Sequence, residues 1–544
     1  LVVDGVPWGG AFNPMTTAVD LHDVERIEIV RGSAPVVYGA TAFSGVIQVI
    51  HRDSGERRAT ISAGTFGSAS ASVSLGALTA DIERERFRDD RAAADRGHVV
   101  YRVTRGRWRF DADALRLQQD PNSPHLREGR VLSPRVALDS NQNPAGAHLD
   151  TTRLHLGGTY DAGPWVTTLA LSHTTDDILR GFLADPVTGE SNGFAQDRRV
   201  TDLYFDTHLV RPLGANARII AGIDHLGGWA NADTEAFEYD AGLPVGADEP
   251  REESELRDRR QFSAVYVQGE FTPSADWRFD AGARLNHARE TRNDDSLTTT
   301  RGSGFLGASR RLMSDVWAFA DYRNTFKPAA IDFGPEEEEE EILEPETSQS
   351  YEAGIKGRTE RLFWQGSGFL MNMENLVVAQ SINGLPVLRN AGKLRFKGIE
   401  LETSYRVIDA LRATASYARH DARFGDYVQD FDGVPTQLRG KRFEMSPRDL
   451  ASAGLLFGAA NGWRANVVAS YTGQRWLNKR NTAPAGGFTT VNAGLGYAAA
   501  WGELRVDGRN LTNRRDPVAE SELGDAQYYR MPARNVRVVY SRRF

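Results

Sequence analysis

Residues 68–77 read SASASVSLGA, and an apolar side chain stands at every second position. Successive side chains of an extended strand point to opposite faces, so one face here is apolar and the other carries serine and glycine. The same alternation returns at 277–286, 411–417 and 491–497. Repeated segments of this kind predict an all-β chain built from antiparallel strands.

The alternation leaves two architectures open. One is a soluble protein with its apolar faces in a core, and the other is a membrane barrel with its apolar faces in lipid. No run approaches the roughly 18 consecutive apolar residues of a membrane helix, so helices are not predicted to span a bilayer. About ten alternating segments follow one another with almost no helical pattern between them, which favours the barrel. At about 22 residues for each strand with its connection, the length predicts a large transmembrane barrel of about 22 strands, whose lumen needs a plug.

The connections between the predicted strands fall into two length classes. Some are as short as 161–164 and 272–276, whereas polar segments such as 119–150, 227–260 and 287–302 are too long for hairpin turns. Short connections at one end and long connections at the other are typical of outer-membrane barrels.

The composition excludes several classes of function. The 544 residues carry a net charge of -8 and include no cysteine. Disulfides, thiolate metal sites and cysteine nucleophiles are therefore absent, and the charge gives no general attraction to nucleic acid. The histidines form no closely spaced metal-binding pair, and the consecutive glutamates at 336–341 are predicted to form a solvated loop. We expect no catalytic residues, no metal, no cofactor and no nucleic-acid partner.

The start of the chain holds a set of short motifs instead of long alternation. In order, these are DGVP at 4–7, ERIEIVRG at 25–32, YG at 38–39 and GVIQVI at 45–50. The ordered set resembles the plug domain of TonB-dependent outer-membrane transporters.

Motifs further along the chain resemble the barrel of the same family, notably 343–356 and 397–402. The resemblance implies the C-terminal part of a plug domain at 1–55 and a transmembrane barrel at 56–544. A signal peptide, a TonB-contacting box and the first half of the plug are not visible, so we interpret the N-terminus as truncated.

The resemblance also implies a function. Members of the family use TonB to drive uptake of a scarce ligand, most commonly a ferric siderophore or similar metal chelate, across the bacterial outer membrane. This predicts a non-enzyme in the cell outer membrane that is a monomer, contacts lipid and lipopolysaccharide, and meets TonB through a region outside this chain. Two alternatives stay open: a passive channel or surface receptor with a reduced plug, and a soluble β-rich carbohydrate-binding protein.

The first candidate site is a latch between plug and barrel. In the family a plug arginine pairs with two barrel glutamates, and the matching residues here are Arg31, Glu352 and Glu400. Alternation supports this, because both glutamates lie on the polar faces of their predicted strands, which face the lumen of a barrel. The alternative is a set of solvated lumen charges.

The second candidate site is a ligand-contacting plug loop at 8–15. Trp8, Phe12, Asn13 and Met15 follow the DGVP turn in a segment rich in glycine. The corresponding loop of the family faces outward and touches ligand, and exposed aromatic rings suit such a contact. The alternative is packing of these rings against the barrel wall.

Overall fold

The computed structural model describes the chain except for a set of short segments: 13–18, 20, 22–23, 33, 35, 40–41, 53–55, 88–92, 129–130, 133–140, 184–187, 248, 330–341, 383–384, 432–433, 460 and 522–523. The glutamates at 336–341 lie outside the described residues, as do Asn13 and Met15. The described residues form a small sheet near the start of the chain and a closed barrel after it.

The small sheet has four strands, β1 (Val2–Val3), β2 (Val6–Pro7), β3 (Val24–Arg31) and β4 (Gly45–His51). Their order is β2-β1-β4-β3, with β1 parallel to β4 and the other pairs antiparallel. Asp4 and Gly5 join β1 to β2, and both have positive φ angles, of 50° and 90°. This is the backbone that an Asp-Gly pair favours in a two-residue hairpin turn. We refer to this sheet and its connections as the plug.

The remaining strands follow in chain order. The first are β5 (Arg58–Gly64), β6 (Ala69–Ser74), β7 (Leu78–Arg86), β8 (Ala93–Arg105), β9 (Trp108–Asp120), β10 (His125–Glu128), β11 (Val131–Leu132), β12 (His148–Asp161), β13 (Trp165–Leu183) and β14 (Glu190–Leu213). The next are β15 (Ala217–Asp240), β16 (Arg251–Ser274), β17 (Trp277–Arg292), β18 (Asp295–Met313), β19 (Val316–Lys327), β20 (Glu346–Arg358), β21 (Leu362–Ile382), β22 (Leu385–Ile408), β23 (Leu411–Phe424) and β24 (Val428–Phe431). The last are β25 (Val434–Gln437), β26 (Asp449–Gly458), β27 (Gly462–Thr472), β28 (Arg475–Trp476), β29 (Pro484–Ala485), β30 (Phe488–Ala499), β31 (Gly502–Arg509), β32 (Pro517–Ser521), β33 (Gly524–Arg530) and β34 (Asn535–Arg543).

Most of these strands close into one antiparallel barrel of 22 strands, in which β34 pairs with β5. The prediction of an all-β barrel with about this number of strands is confirmed. The other strands form small sheets within the long connections: β10 and β11 with β32 and β33, β24 with β25, and β28 with β29.

The two ends of the barrel differ in their connections. One end has tight turns such as 214–216 and 409–410, and the other has long segments such as 121–147 and 510–534. The predicted loops at 227–260 and 287–302 are wrong, because most of their residues extend β15 to β18. Backbone hydrogen bonds to neighbouring strands do not require apolar side chains, so polar residues can lengthen a strand beyond its apolar part.

Strand β22 shows which side chains face the lumen and which face the outside of the barrel. Glu400 and Glu402 contact Arg31 of the plug, so the even-numbered side chains of this strand face the lumen. Ile399 and Leu401 face outward and are 47 % and 51 % exposed. Exposed apolar side chains recur on the outer faces of the other strands, among them Ile61, Val73, Val99, Leu169, Ile223, Leu285 and Leu306. An outward apolar band suits lipid, whereas a soluble sandwich would bury this face.

Regular helix is scarce in the described part of the chain, where the helical element is a single 3₁₀ turn at Thr65–Gly67. No helix among the described residues is long and apolar enough to cross a bilayer. The barrel wall begins at Arg58, and residues 53–55 before it are not described. The domain boundary between 55 and 56 therefore stays a prediction.

Candidate functional site

A buried connection between plug and barrel is centred on Asp4. One carboxylate oxygen of Asp4 accepts a hydrogen bond from the backbone N–H of His51 at 2.9 Å, and the other lies 2.8 Å from Nδ1 of the same residue. Arg109 of the barrel pairs with Asp4 at 2.7 Å, and Arg102 pairs with it at 3.4 Å. The Asp-Gly turn thus holds one carboxylate against its own sheet and against β8 and β9.

This cluster is shielded from water. The side chain of Asp4 is 7 % exposed and that of His51 is 0 % exposed. Burial on its own would raise the pKa of Asp4, but the hydrogen bonds from His51 and the charge of Arg109 outweigh it and hold that pKa well below its usual range. Asp4 is therefore ionised throughout the neutral pH range.

The depressed pKa predicts how the attachment responds to acid. An unfolded Asp has a pKa of about 3.9, and the folded value is lower, so the stabilisation by Asp4 is fully present above about pH 4 and is lost only as the pH falls toward the folded pKa. The anisotropy of a dye on Glu25→Cys, in the exposed strand β3, should therefore stay constant from neutral pH down to about pH 4 and fall below it. Asp4→Asn with the same dye should lose this transition, and an identical transition in both proteins would contradict the assignment.

The turn after β2 also packs into the barrel wall. Trp8 is 6 % exposed, and the guanidinium of Arg153 lies 3.6 Å from the centre of its ring. His155 lies on the same barrel strand, with its ring centre 5.6 Å from that of Trp8. An arginine stacked on a tryptophan in a desolvated site gives a cation–π contact of about 2 kcal/mol.

Phe12 and Ala11 extend this contact along the wall. Phe12 is 7 % exposed and belongs to an apolar cluster with Leu226 and Phe262. The backbone N–H of Ala11 donates a hydrogen bond of 2.8 Å to Asp202 of β14. Arg260 of β16 in turn donates to the carbonyl of Ala11 at 3.4 Å. Both backbone polar groups of Ala11, its N–H and its carbonyl, are therefore bonded to the barrel.

These contacts bear on the predicted ligand loop. The expectation that Trp8 and Phe12 are exposed is wrong, because both rings are buried against the wall, as the alternative had it. Asn13 and Met15 are not described. Contact of these four residues with ligand stays a prediction.

Arg31 approaches two barrel glutamates from the end of β3. Its guanidinium lies 2.8 Å from Glu402 and 3.5 Å from Glu400, and 52 % of its side chain is exposed. Arg323 of β19 donates a hydrogen bond of 2.9 Å to the carbonyl of Arg31. The structure therefore brings Arg31 to Glu400, and it adds Glu402 and Arg323, which the sequence did not single out.

Glu352 takes a different position. Its strand, β20, is separated by β21 from the strand that carries Glu400, β22, and within the described residues Arg31 and Glu352 form no ion pair. Asp321 of β19 lies directly opposite Glu352 and pairs with Arg323 at 2.8 Å. The carbonyl of Arg31 thus contacts β19, and its guanidinium reaches across to β22. The role of Arg31, Glu352 and Glu400 as a latch stays a prediction.

We expect Arg31→Ala to have a modest effect. Exposed ion pairs contribute about 0–1 kcal/mol, so plug release and leakage of small solutes should rise about fivefold or less. Arg26→Ala is the matched control, because among the described residues Arg26 pairs with Glu25 and Glu28 of its own strand and with no barrel carboxylate. Liposome swelling with small sugars measures the leakage. Equal leakage from Arg31→Ala and the control would show that Arg31 does not help to hold the plug in the barrel.

A half-open pocket, the vestibule, lies at the long-loop end of the lumen. This vestibule has a volume of about 540 Å³ and is lined by acidic, basic and aromatic side chains: Glu83, Glu85, Phe87, Arg96, Arg180 and Tyr529. Arg180 donates a hydrogen bond of 2.9 Å to the hydroxyl of Tyr529. Tyr529 belongs to β33, in the connection between β31 and β34. Strand β33 pairs with β10, in the connection between β9 and β12, and strands β5 to β8 lie between these two connections in the barrel wall. Two outer loops thus meet at the vestibule.

The fold and these contacts define a transmembrane barrel closed by an internal plug. The family model "TonB dependent receptor-like, beta-barrel" matches residues 87–511, and the "TonB-dependent Receptor Plug Domain" matches residues 1–46. The chain belongs to the TonB-dependent receptor family, and it is a protein of the bacterial outer membrane. The family is one of transporters and receptors.

Curated relatives cover nearly the whole chain. The Ferrioxamine B receptor of Salmonella typhimurium (strain SL1344) is 24% identical, over 96% of this chain and 81% of its own length. Vitamin B12 transporter BtuB of Photobacterium profundum is 23% identical, over 97% of this chain and 83% of its own length.

Solved structures agree in fold. The ferric yersiniabactin uptake receptor FyuA from Yersinia pestis superimposes with a TM-score of 0.78 at 18% identity, covering 100% of this chain and 88% of that one. The siderophore receptor PiuA from Acinetobacter baumannii gives a TM-score of 0.80 at 13% identity, covering 100% and 89%.

Proposed function

We propose that this chain carries out TonB-driven uptake of a ferric siderophore or similar metal chelate across the outer membrane. The observation that carries the proposal is the plug inside the lumen, bonded to the wall at several separate places. Asp4 is held by β8 and β9, Ala11 by β14 and β16, and Arg31 by β19 and β22. A solute of chelate size cannot pass until some of these contacts break, and breaking them requires work from outside the barrel.

The vestibule supports a polar cargo. Arg96 and Arg180 can donate to the oxygen atoms of a chelate, and Phe87 and Tyr529 can pack against its organic frame. Similar proteins named as ferrioxamine B, ferric yersiniabactin and siderophore receptors favour an iron chelate over other cargo. In this proposal the chain works as a monomer, its outer face contacts lipid and lipopolysaccharide, its cargo makes only non-covalent contacts, and TonB acts from the short-turn end.

The test is an uptake assay in a strain of the source bacterium that lacks this gene. Iron-55 complexes of hydroxamate, catecholate and phenolate siderophores and cobalt-57 cobalamin are supplied one at a time to the deletion strain and its parent. We expect uptake of at least one ferric chelate to disappear on deletion and to return when the gene is restored. Unchanged uptake of every ferric chelate would refute the proposed cargo class, and loss of cobalamin uptake alone would replace it.

A further inference from the structure

Two glycines of the barrel wall lie directly against side chains of the plug. A β-carbon built on Gly282 of β17 would lie 3.1–3.2 Å from the methyl groups of Val36. A β-carbon built on Gly228 of β15 would lie 2.7 Å from that of Ala11 and 2.5 Å from the ring of Phe12. Non-bonded carbon atoms attract each other best at about 3.5–4.0 Å, so the plug leaves no room for a side chain at either position.

These two positions differ from other glycines on the lumen face. Gly222 and Gly307 also face the lumen, but the atoms nearest to them belong to other residues of the wall. At Gly282 the ring of Phe305 closes one side and the plug fills the other, and at Gly228 the plug supplies the nearest atoms. We refer to Gly228 and Gly282 as the socket glycines.

The wall holds the plug backbone at the same point as the side chains in the socket at Gly228. Asp202 and Arg260 are the direct partners of Gly228 on the two neighbouring strands. They bond to the N–H and the carbonyl of Ala11 at 2.8 Å and 3.4 Å. Arg260 is itself held by Glu290 of the wall at 2.9 Å. The wall therefore meets both the shape and the polar groups of this plug residue.

The socket at Gly282 repeats this arrangement with different residues. Arg284 follows on the same face of β17, and its guanidinium donates a hydrogen bond of 3.3 Å to the carbonyl of Val36. Asp224 and Asn286 hold that guanidinium at 2.6 Å and 2.5 Å, so the wall sets its direction. A buried carbonyl without a hydrogen bond is costly, so the plug packs stably only where this donor meets it.

Val36 is carried by a turn that is tied to the rest of the plug. The N–H of Ala34 donates to the carbonyl of Ala42 at 3.1 Å, which closes the turn. The hydroxyl of Tyr38 donates to Gln48 of β4 at 3.0 Å, which joins the turn to the plug sheet. A change in the position of Val36 therefore requires the plug sheet to move with it.

The two sockets lie at different heights in the barrel. Gly282 lies near the start of β17, close to the tight turn at 275–276. Gly228 lies opposite Arg260, and Arg260 lies opposite Glu290, which is near the other end of β17. Contacts on two strands at two heights restrict both the rotation and the tilt of the plug.

We propose that Gly228 and Gly282 are sockets that set the rotational position of the plug in the lumen, with Arg284 as a positioning residue. Glycine is needed at both positions because any β-carbon would displace a plug side chain. With the plug in this position, Asp4 and Arg31 lie beside their partners in the wall. The proposal concerns the resting position of the plug and is independent of the cargo and of TonB.

The test is pulsed electron paramagnetic resonance on the purified full chain in nanodiscs. The chain contains no cysteine, so spin labels can be placed on Glu25→Cys in the plug and on Ala275→Cys or Asp409→Cys in two tight turns of the wall. Gly228→Ala and Gly282→Ala should each shift or broaden the plug–wall distances by a few ångström. An extra methyl group in a packed contact changes an equilibrium about 5- to 150-fold, so amide exchange in β4 should accelerate by that factor.

Two variants separate displacement of the plug from damage to the barrel. Gly302→Ala of β18 is the matched control, because its β-carbon meets nothing within 4 Å, and it should keep the wild-type distances. Gly282→Ala/Val36→Ala shortens the plug side chain and should move both distances back toward wild type. The wall–wall distance between labels at 275 and 409 should stay constant in every variant.

Val36→Ala alone empties the socket at Gly282 without changing the barrel. It should broaden both plug–wall distances even if a glycine variant fails to show the heat-modifiable migration of a folded barrel. Wild-type distances and exchange in both Gly228→Ala and Gly282→Ala would overturn the proposal, and so would an equal shift in Gly302→Ala.

Discussion

Asp4→Ala is expected to release the plug from one side of the barrel and to weaken its attachment by about 3–5 kcal/mol. The substitution leaves Arg102 and Arg109 in the lumen wall without their shared carboxylate, and it removes the two carboxylate oxygens that bond to His51. Hydrogen exchange of the amides in β1 and β4 measures the effect, and we expect exchange there to become at least a hundredfold faster.

Two further variants separate the causes. Asp4 has a positive φ, which alanine tolerates poorly, whereas asparagine tolerates it well. Asp4→Asn therefore keeps the turn and removes only the charge. Its amides in β1 and β4 should exchange almost as fast as those of Asp4→Ala. Glu25→Ala removes an exposed plug carboxylate and should leave exchange unchanged. Asp4→Asn with wild-type protection would show that the turn, and not the ion pairs, holds the plug.

A covalent link between plug and wall is expected to abolish transport. Val36 of the plug is 1 % exposed, and a Cβ atom placed on Gly282 of β17 would lie 3.1–3.2 Å from its methyl groups. Because the chain contains no other cysteine, Val36→Cys/Gly282→Cys can form only this one disulfide. In the oxidised form uptake should fall to background while ligand still binds at the cell surface, because the plug can no longer leave the wall.

A reductant should restore uptake by the double variant, and each single cysteine variant should transport with or without it. Uptake at the same rate by the oxidised and reduced double variant would contradict a need for plug movement on the β17 side of the lumen.

The sequence predicted the barrel well because its evidence is local. Side chains alternate along each strand whatever the partner strand is, and the chain length divided by a typical strand and connection leads to the observed number of strands. The strand ends were less predictable, because polar residues such as those at 227–240 remain paired above the apolar band.

The contacts between plug and barrel were harder to predict because they depend on how the plug is rotated within the lumen. Alternation placed Glu352 and Glu400 in the lumen, but the rotation of the plug decides which of these residues, two strands apart, lies near Arg31, and Glu402 lies nearer to it than Glu400. The Asp-Gly pair indicated a turn at Asp4, yet nothing in the local sequence indicates that Arg102 and Arg109 pair with its carboxylate. The burial of Trp8 likewise depends on its packing against Arg153 of the barrel, a contact that the local sequence does not indicate.

We propose that TonB must move the plug before cargo can pass. The most direct measurement compares binding on ice with uptake at growth temperature, for the chelate identified in the uptake assay, in matched strains with and without TonB. We predict equal binding in both strains and uptake only in the strain that has TonB. Uptake at the parental rate without TonB would contradict the claim and would make this barrel a passive channel.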